Sequence, residues 1–319
     1  MVNSKSNKEI IYNLLKQADA PLSGEFLAGR TGISRVAVWK NISRLKDEGY
    51  LIESGHDGYL LTGLTEKPLP RELSGRSDKI HYFDELDSTM SRAAEAAAGG
   101  CADGTTLIAG RQTAGVSRGG GRWTSPDGGL YFSRLRTRPL NIEDARLYCC
   151  AMTAAVSEAV KEISGIETEV RWPNEVYSDD RKIAGVLTRF SGEIGMLDYV
   201  TTGIGINLDI PESALPKGAA SISELSDSVP AAKVLLSKLL DLLEAADSEF
   251  RTNKQTDSQK IIRKCQNQMR IPGELLVCSL SGREYRGHID GIDSLGRLLI
   301  RTEGDLILTI NKGEDYHYV

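Results

Sequence analysis

The order of local patterns along these 319 residues predicts an α/β (α+β) multidomain chain. It consists of a winged helix-turn-helix, a central mixed-sheet domain and a small C-terminal β-barrel. Three observations predict it: short capped helices followed by two Tyr-Leu runs, apolar helical stripes alternating with apolar strand-like runs, and a closing series of short strands between Gly-containing turns. The predicted boundaries are 1–65 for the helix-turn-helix, 66–78 for a linker, 79–270 for the central domain and 271–319 for the C-terminal domain.

At the N-terminus, Ile10, Ile11, Leu14 and Leu15 mark a helix that ends around Ala18 to Pro21. Ser23 caps a short helix through Arg30, Gly32 makes the turn, and Ser34 caps a longer helix to about Glu48. On this third helix Val38, Ile42 and Leu45 share one face, which leaves Val36, Lys40 and Ser43 opposite, with Arg35 and Arg44 at the flanks. Tyr50-Leu51-Ile52 and Tyr59-Leu60-Leu61, joined through Ser54 to Gly58, predict a hairpin wing. The opposite face is small and basic enough for a major groove. Lys40 and Arg44 are placed for phosphates, and Ser34, Arg35 and Val36 for base edges. Met1 to Glu66 carries eight Lys/Arg against eight Asp/Glu, so a protein-binding helical domain is the competing reading.

Pro68 and Pro70, amid scattered charges, suit a semi-rigid linker. Beyond it, Ala93 to Ala98 predict a closely packed helix after Asp87-Ser88. Tyr148, Met152, Val156, Val160 and Ile163 form the stripe of a second helix over about 143–163. Leu235, Leu239, Leu242 and Ala246 do the same for a third over about 231–250. Strands are expected near 106–109, 129–133, 169–172, 183–190 and 199–206. At the C-terminus the runs 274–280, 285–292, 298–302 and 306–310, broken at Ser281-Gly282, Asp293 to Gly296 and Glu303-Gly304, predict the small barrel.

Composition excludes several classes. A net charge of −5 with 40% hydrophobic residues argues against nonspecific coating of nucleic acid, so any DNA contact is local. The five cysteines, Cys101, Cys149, Cys150, Cys265 and Cys278, lack Cys-x-x-Cys spacing and do not suggest a disulfide framework or a zinc site. With no signal-peptide core and no apolar stretch of membrane-spanning length, a cytoplasmic chain without a membrane partner is expected.

Chemistry is concentrated in the middle. Glu169 to Tyr177 contains a Trp172-Pro173-Asn174 corner, and shortly after it Lys182 opens the apolar run Ile183 to Leu187. A lysine at the mouth of such a strand calls for an anion or polarised oxygen at its ammonium, unless it merely snorkels to solvent. The segment Gly115 to Arg122 holds four glycines and two arginines, a composition that lets backbone N–H groups and guanidinium forks wrap an anionic ligand. An ordinary Gly-rich connection is its bland alternative. Neither a nucleophile elbow nor a His or Cys cluster is present.

Taken in order, Asp87-Ser88-Thr89, then Gln112-Thr113-Ala114-Gly115 with a Gly/Arg loop ending in Trp123, resemble the biotin-protein ligase family. Trp172-Pro173-Asn174, Arg181-Lys182-Ile183-Ala184-Gly185 and Gly203-Ile204-Gly205-Ile206-Asn207 continue the resemblance, over roughly Ile80 to Asp209. The N-terminal module is similar to the regulatory domain of bifunctional biotin ligases that repress biotin operons, and the C-terminal strands to the family's SH3-like cap.

The resemblance implies a biotin-[acetyl-CoA-carboxylase] ligase that makes biotinyl-5′-AMP from biotin and ATP, with Mg²⁺ on the ATP. It then passes biotin to a lysine of a carboxylase's biotin carboxyl carrier domain. It implies Lys182 and Arg118 as catalytic. Ser88, Thr89, Gln112, Gly115, Val116, Ser117, Trp123 and Asn174 join them as the biotin and adenylate site, although Ser88 and Thr89 also suit a helix cap. A ligand-promoted homodimer on operator DNA is implied too, and no residue is assigned to a metal.

The loop departs from the family's Gly-Arg-Gly-Arg-x-Gly-Arg-x-Trp. Val116, Ser117 and Gly121 replace arginine, glycine and arginine; Arg118 keeps register and Arg122 sits one place late. Met90 stands for the usual Asn, Glu175 for the usual Asp, and Gly313-Glu314-Asp315-Tyr316 for the usual ending. Each lost charge-assisted contact is worth about 1.5–3 kcal/mol, so weak adenylate retention is expected. A biotin-responsive DNA-binding regulator with lost or leaky ligase activity is the alternative, with a lipoate-attaching relative a third reading.

Overall fold

The computed structural model describes residues 6–73, 75–193, 196–250, 257–269, 275–280, 282–312 and 316–318. The chain divides into two compact units, Met1–Lys67 and Pro68–Val319.

The first unit holds α1 (Asn7–Lys16), α2 (Gly24–Thr31), α3 (Arg35–Asp47) and the hairpin β1 (Leu51–Gly55) and β2 (Gly58–Gly63). Each helix starts at a serine, Ser6, Ser23 or Ser34, whose hydroxyl accepts the N–H three residues on. Gly32 closes α2 in the left-handed conformation. Ile11, Leu15, Leu27, Val38, Ile42 and Leu45 are fully or almost fully buried, so the apolar face expected of α3 is its core face. The hairpin turns tightly, with Ser54 opposite Tyr59 and Gly55 opposite Gly58.

The second unit opens with β3 (Ile80–Leu86), α4 (Thr89–Ala98), β4 (Thr106–Gln112), β5 (Gly129–Arg136), β6 (Leu140–Asn141) and α5 (Ala145–Ser164). It continues through β7 (Glu169–Arg171), β8 (Glu175–Ser178), β9 (Arg181–Glu193), β10 (Met196–Asn207), α6 (Ile222–Leu225), α7 (Ala232–Ser248) and α8 (Ser258–Gln268). The sheet is mixed, in the order β3-β4-β5-β10-β9-β8-β7 with β6 beside β10; among the described strands, β3 and β4 pair parallel and the rest antiparallel.

Strand alternation then decides what each sheet face does. Ala184 and Val186 of β9 and Ile204 and Ile206 of β10 are buried in the core that contains Tyr148, Met152, Val156 and Val160 of α5. The other face carries Gly185, Gly203 and Gly205. Leu235, Leu236, Leu239, Leu240 and Leu243 of α7 complete the core. Asp247, at the end of the same helix, is also fully buried: its Oδ1 accepts from Arg136 Nη1 at 2.5 Å and from the Tyr148 hydroxyl at 3.1 Å.

Several boundaries differ from expectation. β3 and β8 were not foreseen: charged residues interrupt the alternation of Ile80–Leu86, and Glu175–Ser178 is only four residues long. It is the first arm of a hairpin that turns at Asp179 and Asp180, both at positive φ, before entering Lys182. The amphipathic α8 was missed too. Of the expected linker, Leu69 and Leu73 are buried, and Arg76 pairs with Asp241 at 2.7 Å and Glu244 at 2.9 Å.

The C-terminal strands are β11 (Leu275–Leu280), β12 (Arg283–Ile292), β13 (Leu298–Thr302), β14 (Ile307–Ile310) and β15 (Tyr316–Tyr318). They form one antiparallel sheet in the order β14-β13-β12-β11-β15, with no β14–β15 pairing among the described residues to close the expected barrel. The expected start at Glu274, the break at Ser281 and the segment Gly313 to Asp315 lie outside the described residues.

Candidate active site

On the glycine-bearing face of the central sheet lies a cavity of about 230 Å³. Ser88, Thr89 and Met90 reach it from the start of α4, Gln112 from the end of β4, and Val116, Ser117, Arg118 and Trp123 from the loop between β4 and β5. Asn174 and Glu175 enter from the corner after β7, and Lys182 from β9. Every expected biotin-site residue except Gly115 lines it.

The cavity exists because glycines make room. A Cβ at Gly205 would lie 2.4 Å from Trp123 Nε1, one at Gly185 2.7 Å from Trp123 Cζ3, and one at Gly203 2.5 Å from Met90 Sδ. The indole therefore lies against bare strand backbone, and Gly-x-Gly in β10 is a packing requirement of Trp123 and Met90. Trp123 Nε1 is buried and has no hydrogen-bond partner among the described residues. Met90 is only 4% exposed, so this departure from the family pattern adds an apolar surface to the cavity.

At the polar end, Gln112 Oε1 accepts from the Thr89 amide at 2.8 Å and the Thr89 hydroxyl at 3.1 Å, while its Nε2 donates to Ser125 Oγ at 2.9 Å. Ser133 donates to Thr89 Oγ1 at 2.9 Å. Ser88 Oγ is the N-cap of α4, accepting from Ser91 N at a long 3.5 Å. Capping and cavity lining thus coexist in Ser88. Asn174 Nδ2 donates to Val186 O at 2.7 Å and fastens its corner to β9.

The anion expected at Lys182 is Glu175. Lys182 Nζ donates to Glu175 Oε1 at 2.5 Å and lies 5.2 Å from the centre of the Trp123 ring. Its backbone is fixed as firmly: Lys182 N donates to Gly218 O at 2.9 Å, and Lys182 O accepts from Ala220 N at 3.0 Å. Asn207 of the Gly-Ile-Gly-Ile-Asn motif ties down the same crossing by donating to Ala220 O at 3.1 Å. The sequence identified Glu175 only as a substitution; its longer side chain was the available signal.

The Gly/Arg loop is itself a small hairpin. Trp123 N donates to Gly115 O at 3.0 Å and Ser117 N to Gly121 O at 2.9 Å, with Gly119 and Gly120 at positive φ in the turn. Gly115 is buried behind the cavity, where a Cβ would meet Trp123 O at 2.6 Å. Arg118 faces the cavity. Arg122 does not: its Nη2 donates to Thr113 O at 2.6 Å, so it makes no compensating shift.

In the first unit, Ser34, Arg35, Val36, Lys40 and Arg44 are all exposed on α3, with Val36 at 63%. The Ser34 hydroxyl accepts from Ala37 N at 3.2 Å as the helix cap. Trp39, 58% exposed on this face, was not singled out by the sequence and shares a concavity between α3 and the wing with Arg35, Val36, His56 and Tyr59.

Residues 82–207 match the Biotin/lipoate A/B protein ligase family and residues 8–60 match an HTH domain. The bifunctional ligase/repressor BirA of Bacillus subtilis (strain 168) is 27% identical over 94% of this chain and 95% of its own length. That of Escherichia coli (strain K12) is 28% identical over 88% of each. Among solved structures, the biotin protein ligase from Aquifex aeolicus in complex with biotin and ATP is 31% identical, with a TM-score of 0.62, over 76% of this chain and 98% of that one. With that identity, that coverage and the cavity built from its motifs, the chain belongs to the biotin protein ligase family.

Proposed function

We propose that this chain is an ATP-dependent biotin–protein ligase and a DNA-binding repressor of biotin genes, working in the cytoplasm. The observation that carries the ligase reading is the convergence of Lys182, Arg118 and the Ser88–Thr89–Gln112 cluster on one cavity from four separate segments. Such a cavity suits a molecule with a carboxylate at one end and a polar amide-like end at the other.

In this reading the Ser88, Thr89 and Gln112 end takes the polar ring of biotin, and Trp123 lies along its body. The biotin carboxylate replaces Glu175 at Lys182 and attacks the α-phosphorus of ATP; pyrophosphate leaves and biotinyl-5′-AMP remains. Lys182 and Arg118 supply positive charge where the phosphoryl oxygens gain negative charge, with Val116, Ser117 and Asn174 around the adenylate. The amine of a carrier lysine then attacks the acyl carbon and AMP departs. No nucleophile from this chain is required.

Mg²⁺ bound to ATP would shield the phosphate charge, and no residue of this chain is assigned to hold it. Glu175 is the one carboxylate among the described residues lining the cavity, and no group of three His, Cys, Asp or Glu gathers among them. For DNA, the exposed α3 face supports operator contact through Arg35, Val36, Lys40 and Arg44, with the Ser34 end of the helix toward the bases. A homodimer formed when adenylate is bound places two such helices on one operator. No helix among the described residues is long and apolar enough to cross a membrane.

The test is mass spectrometry of a biotin carboxyl carrier domain incubated with the protein, biotin and MgATP. Addition of one biotinyl group to its acceptor lysine is expected. An unmodified carrier would overturn the ligase assignment.

A further inference from the structure

The Trp172-Pro173-Asn174-Glu175 corner brings two cavity residues into place, and it is gripped from behind by the C-terminal sheet. Trp172 is 4% exposed, and its Nε1 donates to Gly296 O at 3.0 Å. The Tyr316 hydroxyl donates to Trp172 O, and the two rings lie 6.2 Å apart. One tryptophan is therefore bonded at its side chain by the β12–β13 turn and at its backbone by β15.

That turn is rigid. Gly296 has φ +73°, and a Cβ there would lie 2.8 Å from Leu147 N and 2.9 Å from Leu147 Cα, so only glycine fits against α5. Asp293 Oδ1 accepts from Leu295 N at 3.0 Å and Arg297 N at 2.9 Å, which fixes the path of the turn. From Trp172 the constraint continues forward: Asn174 is bonded to Val186 on β9, and Glu175 holds the Lys182 ammonium.

We infer that the C-terminal sheet is a positioning element of the cavity, acting through Tyr316 and Gly296 on Trp172 and thereby on Asn174, Glu175 and Lys182. This rests on the ligase reading for its kinetic consequence, though not for the clamp itself. Tyr316 is a positioning residue, since it touches the corner and not the cavity. The polar end at Ser88, Thr89 and Gln112 belongs to other elements and lies outside its influence.

Tyr316→Phe tests this by removing one hydroxyl and keeping the ring against Trp172. Without ligand, amide hydrogen exchange is expected to quicken over 172–176 in the full-length variant and to stay unchanged in β4 and β5. Unchanged exchange at the corner would overturn the clamp whatever the enzyme does. In biotin-dependent ATP–pyrophosphate exchange, kcat is expected to fall about tenfold, the worth of one such bond, with KM for biotin held within about twofold. A wild-type protein without exchange activity would sink the ligase reading alone. Wild-type activity with an unaltered variant kcat, or a rise in KM alone, would overturn the positioning role.

Discussion

Glu175 alters the chemistry of the cavity more than a conservative substitution suggests. Its carboxylate meets Lys182 Nζ at 2.5 Å, with side chains 35% and 26% exposed, so an entering carboxylate both loses time to a competitor and feels its charge. Partial exposure limits the pair to about 0.5–1 kcal/mol. Glu175→Gln is therefore expected to tighten biotin binding about two- to fivefold, as read by calorimetry. Weaker binding would show that Glu175 supports the ligand. A lysine entering an apolar strand singled out Lys182 but left open that it only snorkels to solvent; the order of the surrounding motifs is what tied it to a ligand. The partner of Lys182 was not legible, because a hairpin turning at Asp179 and Asp180 brings Glu175 back beside it, and nothing in the local pattern reveals that pairing.

At the scale of elements, the helices were the most readable part. Serine caps and apolar stripes determine α1 to α5 and α7 locally, whereas β3 and β8 depend on neighbours for their hydrogen bonds. Asp247 is instructive: it interrupts the apolar face of α7 and is buried because Arg136, far away in sequence, is buried opposite it. The Gly/Arg loop shows the same limit. Its glycines predicted a ligand-wrapping turn, but the direction of Arg122 toward Thr113 O is a tertiary fact. Arg118 alone supplies loop charge to the cavity, so adenylate is expected to leave early and label stray lysines. Restoring Val116→Arg with Ser117→Gly should slow adenylate release in stopped-flow by roughly tenfold for each 1.4 kcal/mol regained. Equal release rates before and after would remove the loop as the retaining element.

Across the whole molecule, function follows from how the modules are arranged along the chain. The first unit presents α3 with its core face satisfied and its basic face exposed, and the second presents a cavity assembled from five motifs. The C-terminal sheet, legible as short strands, turned out to be bonded to the corner that bears Asn174 and Glu175, a connection that sequence spacing does not encode. Lys182, rooted between β8 and the 218–220 segment, is proposed to drive adenylate formation. The most direct test is biotin-dependent ATP–pyrophosphate exchange by wild type and Lys182→Ala, with thermal unfolding of both. Exchange is expected in wild type and none in the variant, with unfolding temperatures within about 4 °C of each other, the most that losing the Glu175 pair would cost. Full exchange by Lys182→Ala would contradict it.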